Sequence, residues 1–342
     1  MRFIIPLLLA CVSLFQSVHA LQYKGADFSS LINLENSGRT YKDNGSTQKL
    51  ETILRNHGAN LARIRIWTSN SYSNYNLDYA IALAKRARAA GMEIMVDFHY
   101  SDTWADPGKQ AIPSAWPKDL NGLNTQIYTY TLSTIQTFVN QGIPVRFVQI
   151  GNEINDGMLW PVGRISVNGF SPISQLLHSA ANAVRAASPS TRIMVHLANG
   201  WDWGGVNWFF NSIFRPGEFA TGDFDVVGFS MYPFYNTGAT YSALRSSLQN
   251  TDIMVVETDW PAVCSGVTMS ERSIAISAAG QSTWVAGIRD ALSSIGSRGI
   301  GIVYWEPAWI GNAGLGSACS DALLVDGSGN TRSSINMFSS SM

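Results

Sequence analysis

Arg146-Phe147-Val148-Gln149-Ile150-Gly151-Asn152-Glu153 is a short apolar run that closes on a carboxylate. A second run, Asp252-Ile253-Met254-Val255-Val256-Glu257, closes the same way. A β-branched, nearly continuous apolar segment reads as a strand buried on both faces of a parallel sheet, and the carboxylate then marks its C-terminal end. In a β/α barrel that end is the face where side chains from different strands converge. Two carboxylates meeting there are the minimum equipment for hydrolysing a glycosidic bond.

Working outward, the same kind of run recurs eight times: Gln22–Phe28, Leu61–Trp67, Glu93–His99, Arg146–Asn152, Arg192–Ala198, Asp225–Met231, Asp252–Glu257 and Gly299–Trp305. Their starts lie 27 to 53 residues apart, room each time for a strand, a helix and two loops. Helical patterns sit between them. The clearest runs from Leu77 to Ala87 and stops at Gly91. Thr47 to Asn56 before Gly58, and Leu176 to Ala187 before Pro189, read as helices too. No linker or composition break divides the chain. The expectation is an α/β fold, a single (β/α)8 barrel over residues 21–342. A doubly wound open sheet is the alternative, but Gly25-Ala26-Asp27 after the first strand is not a Gly-rich phosphate turn.

Residues 1–20 read as a secretory leader. Met1-Arg2 supplies the positive end, Phe3 to Phe15 the apolar stretch, and Val18-His19-Ala20 a small-x-small cleavage site. The expected product is exported and extracellular, and a monomer is the default. Of 342 residues, 14% are charged and the net charge is −1. Nucleic acid, polyanions and anionic membranes need a basic patch, so none is an expected partner. Eleven Trp suit a neutral ligand with apolar C–H faces, such as a sugar. Cys264 and Cys319 remain after the leader, an even pair most simply joined as a disulfide. Asn44-Gly45-Ser46 is a glycosylation sequon in a turn-like segment.

If the runs are barrel strands, their ends face one another around a pocket. The second brings Arg63 and Arg65, two apart and therefore on one side; the third brings Asp97, His99 and, just beyond, Asp102 and Trp104. The fourth brings Asn152 and Glu153, the fifth His196, the sixth Tyr232, the seventh Glu257, and the eighth Trp305 and Glu306. A lone strand-end charge is more often a structural ion pair than a catalyst, and a lone histidine more often a hydrogen-bonded core residue. Seven strands of eight ending in polar or aromatic residues is a different matter. An acid that stays protonated beside a carboxylate that stays ionised requires two unlike environments. An arginine beside Glu257 would keep it charged, while that negative neighbour would raise Glu153 and suit it to protonate a leaving oxygen. Either arginine could take this place; Arg63 is favoured because it lies deeper. Asn152 suits a ring hydroxyl, Tyr232 suits orienting Glu257, and Trp305 suits the floor of the reacting subsite. Trp104, Trp160 and Trp309 are candidate sugar platforms, with ordinary rim packing as the alternative for each.

Asn-Glu closing the fourth strand with Glu closing the seventh is similar to the retaining glycoside hydrolases of clan A. Beyond that pair, the chain resembles glycoside hydrolase family 53, the endo-β-1,4-galactanases. The likeness runs through Tyr23-Lys24-Gly25-Ala26-Asp27, Arg63-Ile64-Arg65-Ile66-Trp67 and His99-Tyr100-Ser101-Asp102-Thr103-Trp104-Ala105-Asp106-Pro107. It continues in Gly151-Asn152-Glu153-Ile154, Val195-His196-Leu197, Tyr232-Pro233-Phe234-Tyr235, Glu257-Thr258-Asp259-Trp260-Pro261 and Tyr304-Trp305-Glu306-Pro307-Ala308-Trp309. The resemblance implies Glu153 as acid/base, Glu257 as nucleophile, and retention with carboxyls about 5 Å apart. It implies β-1,4-galactan, the side chain of type I arabinogalactan in pectin, as the substrate; no cofactor is expected, and no Asp-rich calcium loop of the kind bacterial relatives carry is visible near the C-terminus. Asp102, Trp104 and Trp305 fall on positions expected to contact galactose; His196 and Trp309 are counted with them. His99, Asn152, Tyr232 and both arginines are expected supports. The cysteines resemble a fungal arrangement bridging the last two active-face loops. Ala198-Asn199 departs from the acidic residues expected there, which bears on contacts around Trp201 and Trp203.

Two other readings keep the barrel. One changes the sugar to a mannan, xylan or glucan; the other is a non-catalytic carbohydrate-binding protein, against which both glutamates stand. A metalloenzyme lacks the necessary His and Cys spacing.

Overall fold

The eight runs become eight strands of one closed, all-parallel barrel: β1 (Tyr23–Asp27), β2 (Leu61–Ile66), β3 (Glu93–Phe98), β4 (Val145–Ile150), β5 (Arg192–Leu197), β6 (Val226–Met231), β7 (Asp252–Thr258) and β8 (Gly299–Trp305). This is a computed structural model, and it describes residues 20–69, 74–235, 237–248 and 251–342. Each strand pairs with its sequence neighbour, and β8 closes against β1 with Asp27 opposite Trp305. The leader expected over residues 1–20 lies, apart from Ala20, outside the described residues. Among the described residues no helix is long and apolar enough to cross a membrane.

Helices follow the strands around the outside: α1 (Leu50–Asn56), α2 (Leu77–Ala89), α3 (Leu120–Asn140), α4 (Phe170–Ala187), α5 (Trp203–Ile213), α6 (Tyr241–Ser247) and α7 (Ala278–Ser293). After β8 only a short turn of helix, Met337–Ser340, takes the last place. The local chemistry sets the ends. Asn76, Asp119, Asp202, Thr240 and Ser277 each accept a backbone N–H of the first turn they precede. On α4, Ile173, Leu176, Leu177, Ala180, Ala181 and Val184 are buried, the 3.6-residue stripe that faces the sheet.

One expectation is corrected. Helix was expected from Thr47, but Tyr41–Asp43 and Ser46–Gln48 form an antiparallel hairpin and α1 begins at Leu50. Asn44 and Gly45 both take positive φ, 48° and 80°, the turn that matches strand twist in a two-residue hairpin. Asn44 is exposed at its tip.

Strand parity decides where the site can be. The lower barrel interior is plugged by Tyr23, Leu61, Met95, Phe147, Met194, Val226, Met254, Val256, Ile300 and Val303, contributed by all eight strands. A Cβ on Gly228 would stand 2.7 Å from Met194 Sδ, so that layer leaves no room for a side chain there. Two to four residues further along β1 to β6 the same face turns polar: Asp27, Arg63 and Arg65, Asp97, Gln149, His196 and Ser230, all buried. The apolar plug therefore carries a polar floor, open toward the C-terminal face.

Candidate active site

Arg63 is the centre of that floor. A fully buried guanidinium must be paired, and this one is paired several times. It reaches Asp27 at 2.9 Å, Asp97 at 2.9 Å and Glu257 at 2.8 Å, and also donates to Gln149 and to Asn152 Oδ1. The arginine beside Glu257 is thus Arg63. Arg65 turns away, to Glu306 at 2.6 Å and Ser30 Oγ at 3.0 Å.

Glu257 sits at the end of β7, where a register shift sets it opposite Ser230 of β6. It is buried, with Arg63 on one oxygen and the Tyr232 hydroxyl donating to the other at 2.9 Å. Burial raises its pKa above the ordinary carboxylate value, and Arg63 and Tyr232 oppose that rise. Glu153 lies just past β4, where Gly151 and Glu153 take φ of 98° and 52° and bend the chain out of the strand. A non-glycine residue in this left-handed region is uncommon and marks strain held in place by its surroundings. No cation pairs with Glu153 among the described residues. Burial first, then the charge of Glu257, push it up to about 8. The two carboxyls therefore occupy opposite environments on one cleft: one clamped by a cation, one raised by its neighbour.

The cleft has a volume of about 830 Å³ and is lined by His99, Asn152, Glu153, Tyr232 and Glu257 beneath an aromatic wall of Trp104, Trp305, Trp309, Trp201 and Tyr235. Trp104 and Trp309 stack at 6.2 Å, and Trp305 meets Trp104 edge-on at 6.1 Å. The Arg65 guanidinium lies 4.3 Å from the Trp104 ring and 4.4 Å from that of Tyr75, a buried cation against aromatic faces. His99 Nδ1 accepts the Ala105 N–H at 2.9 Å, so its Nε2–H donates to Asp97 at 3.1 Å.

Most of the expected residues meet here: Glu153, Glu257, Asn152, His99, Tyr232, Trp104, Trp305 and Trp309 share the cleft, with Arg63 and Arg65 directly behind it. Three expected contacts do not. His196 is fully buried in the floor, its ring between Ser230 and Asn152, and does not reach the cleft lining. Asp102 stands outside the cleft lining; its oxygens accept from Thr68 Oγ1, Ser114 N and Ser114 Oγ, each at 2.8 Å, and it closes a loop. Trp160 is turned to Arg164, whose guanidinium sits 4.1 Å over its ring, and it too is not part of the lining. Around the departure, Ala198, Asn199 and Trp201 line the cleft, Asn199 bonds Asn155, and Trp203 points to solvent at 41% exposure. Ser230 and Gln149 were missed; the available signal was their parity with Val226 and Phe147 on their own strands. Cys264 and Cys319 are joined, tying the loop after β7 to the loop after β8 that carries Trp309 and Asn312.

The model of glycosyl hydrolase family 53 matches residues 23–338. The chain belongs to that family. An arabinogalactan endo-β-1,4-galactanase of Thermothelomyces thermophilus is 46% identical over 332 residues, covering 93% of this chain and 99% of its own. Among solved structures, a fungal β-1,4-galactanase superposes with a TM-score of 0.90 at 45% identity, over 93% of this chain and 99% of the other. The family 53 catalytic domain of Ignisphaera aggregans follows at 0.80 and 27% identity, over 93% and 95%. The glutamates, the Arg63 clamp and the tryptophan wall described above are thus the cleft of a family 53 glycoside hydrolase.

Proposed function

We propose that the protein is an exported endo-β-1,4-galactanase that cuts the β-1,4-galactosidic bonds of type I arabinogalactan with retention of configuration. One observation carries the mechanism: Glu153 and Glu257 line one cleft in opposite electrostatic settings. The Arg63 cation and the Tyr232 hydroxyl hold Glu257 as the ionised nucleophile. Its oxygen bonds the anomeric carbon as the glycosidic C–O bond breaks, and the departing oxygen takes the Glu153 proton. Glu153, now a carboxylate, then removes a proton from water as that water's oxygen displaces Glu257 from the sugar. Asn152 Nδ2 donates to the Ala105 carbonyl at 2.9 Å, which leaves one N–H for a sugar hydroxyl. The substrate rests on the arabinogalactan endo-β-1,4-galactanase at 46% identity, and endo action fits a cleft walled by aromatic rings. Export rests on the leader-like residues 1–20 and on the disulfide.

The test is to incubate the purified protein with linear β-1,4-galactan, β-mannan, xylan and cellulose and to size the products. Short galacto-oligosaccharides from galactan alone are expected. Cleavage of a different polymer would keep the mechanism and overturn the specificity.

A further inference from the structure

Glu153 has one hydrogen bond from the protein among the described residues. Ser230 Oγ donates to its Oε1 at 2.6 Å, across from β6, and Oε2 makes none. Ser230 is itself fully buried and held from behind by His196, whose Nε2 lies 2.9 Å from the hydroxyl oxygen. A serine hydroxyl has a single proton. With that proton on Glu153, His196 must be the donor to Ser230, which makes it the Nε2–H tautomer with Nδ1 as acceptor. Gln149 Nε2 lies 3.1 Å from His196 Nδ1 and also reaches Asp97 Oδ1 at 2.6 Å, Asn152 Oδ1 at 2.9 Å and the Gly151 carbonyl at 3.1 Å, more acceptors than it has hydrogens. Asn152 Oδ1, 2.9 Å from Nδ1, is already supplied by Arg63. Burial and Arg63 keep the imidazole neutral, with its pKa well below the usual value. On an ionised Glu153 the bonds point one way, from His196 through Ser230 to a single oxygen of the carboxylate.

We propose that Ser230, oriented by His196, is a positioning residue for the acid/base: by donating to Oε1 it keeps the transferable proton on Oε2, the oxygen left for the departing sugar. The proposal rests on reading Glu153 as that acid/base. A proton on Oε1 would lie against a hydroxyl already donating to it, so the protonated form carries its hydrogen on Oε2. During bond cleavage that proton passes to the leaving oxygen, and the carboxylate that remains is the form Ser230 bonds best. The same bond lowers the acid's pKa, against burial and the charge of Glu257, which raise it. The other groups facing Glu153 are Arg63, Asp106, Tyr232 and Tyr235. None of them hydrogen-bonds its oxygens, so Ser230 is the contact that distinguishes the two.

The test compares wild type, Ser230→Ala and Ser230→Cys, which fills the site but donates weakly. The readouts are the pH dependence of kcat/KM on linear β-1,4-galactan and kcat on an aryl β-galactoside with a good leaving group. For Ser230→Ala the alkaline limb should move up by about one pH unit, the size expected from losing a charge-assisted hydrogen bond. Its kcat should fall about tenfold or more on galactan and much less on the aryl substrate, which needs little protonation. Ser230→Cys should fall between. A folded Ser230→Ala or Ser230→Cys protein whose alkaline limb stays where the wild type has it overturns the proposal. Glu153→Ala separates this failure from that of the underlying reading. Equal losses on both substrates would show that Glu153 is not the acid, whatever the serine variants do.

Discussion

Asp259 lies two residues past Glu257 and is fully buried, yet among the described residues neither of its oxygens has a well-formed hydrogen-bond partner. A carboxylate cannot sit there charged without a partner. Burial first, then the charges of Glu257 and Glu306, push its pKa well above the ordinary value, so the folded protein holds it neutral. The unfolded chain ionises the same group near pH 4. Above that pH the native state keeps a proton that the unfolded state has lost, so this group's contribution to stability falls as pH rises. Asp259→Asn has no such proton to lose. It should therefore gain on wild type between pH 5 and 8 in thermal denaturation, whatever constant offset the amide brings. A difference between the two proteins that does not change with pH would show that Asp259 ionises inside the fold. Glu257 is the contrasting case, a buried carboxylate with a cation. Glu257→Ala should cost roughly three or more orders of magnitude in kcat, because no covalent intermediate can form. Binding of a galacto-oligosaccharide, measured by calorimetry, should persist because the tryptophan wall is untouched. Turnover near wild type would remove Glu257 from its role.

At the scale of elements, the eight strands were legible because each is a β-branched run bounded by turns, and the structure places every one within a residue or two of its expected span. The hairpin at Tyr41–Gln48 was not, because Asn44-Gly45 was read only as a turn and the strands it joins are three residues each. The site was legible where the last residues of a strand reach the cleft, as Glu257 and Trp305 do, or lie just past it, as Glu153 does. It failed one layer lower. His196 and Ser230 carry the inward parity of their strands, and period-two spacing does not say how deep an inward residue sits. Asp102 failed differently, since a loop carboxylate can face the cleft or close its own loop, and hydrogen bonds to Thr68 and Ser114 settled it. The disulfide, by contrast, followed from counting. It closes a 55-residue separation between the loops after β7 and β8. Replacing both cysteines by Ala should lower stability by about 4 kcal/mol or somewhat less on chain-entropy grounds. The loop with Trp309 and Asn312 should also loosen, so KM for galactan should rise more than kcat falls. Chemical denaturation and steady-state kinetics on the double variant check both; an unchanged midpoint would mean that the loops are held by their hydrogen bonds alone.

Across the whole molecule, carboxyls of two kinds set how pH acts. Glu153, Glu306 and Asp259 are raised, the first two to about 8 and about 7, mainly by burial. Between the unfolded values near pH 4 and these folded values, the native protein binds more protons than the unfolded chain, so stability falls as pH climbs through that window. Asp97, Asp102 and Asp156 are lowered, with Arg63 pairing Asp97, Ser114 and Thr68 bonding Asp102, and Arg164 and Ser166 bonding Asp156. Their contribution is present above about pH 4 and is lost as pH falls below it. The two trends cross on the acid side of neutrality, so Tm should peak at roughly pH 4 to 6. Catalysis obeys a different rule on the same groups. It needs Glu257 ionised and Glu153 protonated, so kcat/KM should fall on the acid side as Glu257 gains a proton and on the alkaline side through about pH 8 as Glu153 loses one. Calorimetric scans and initial rates on galactan from pH 3 to 9 measure both curves. A Tm maximum above pH 7.5 would mean that the buried carboxyls are ionised in the folded state, and the unlike environments that divide the two glutamates would go with it.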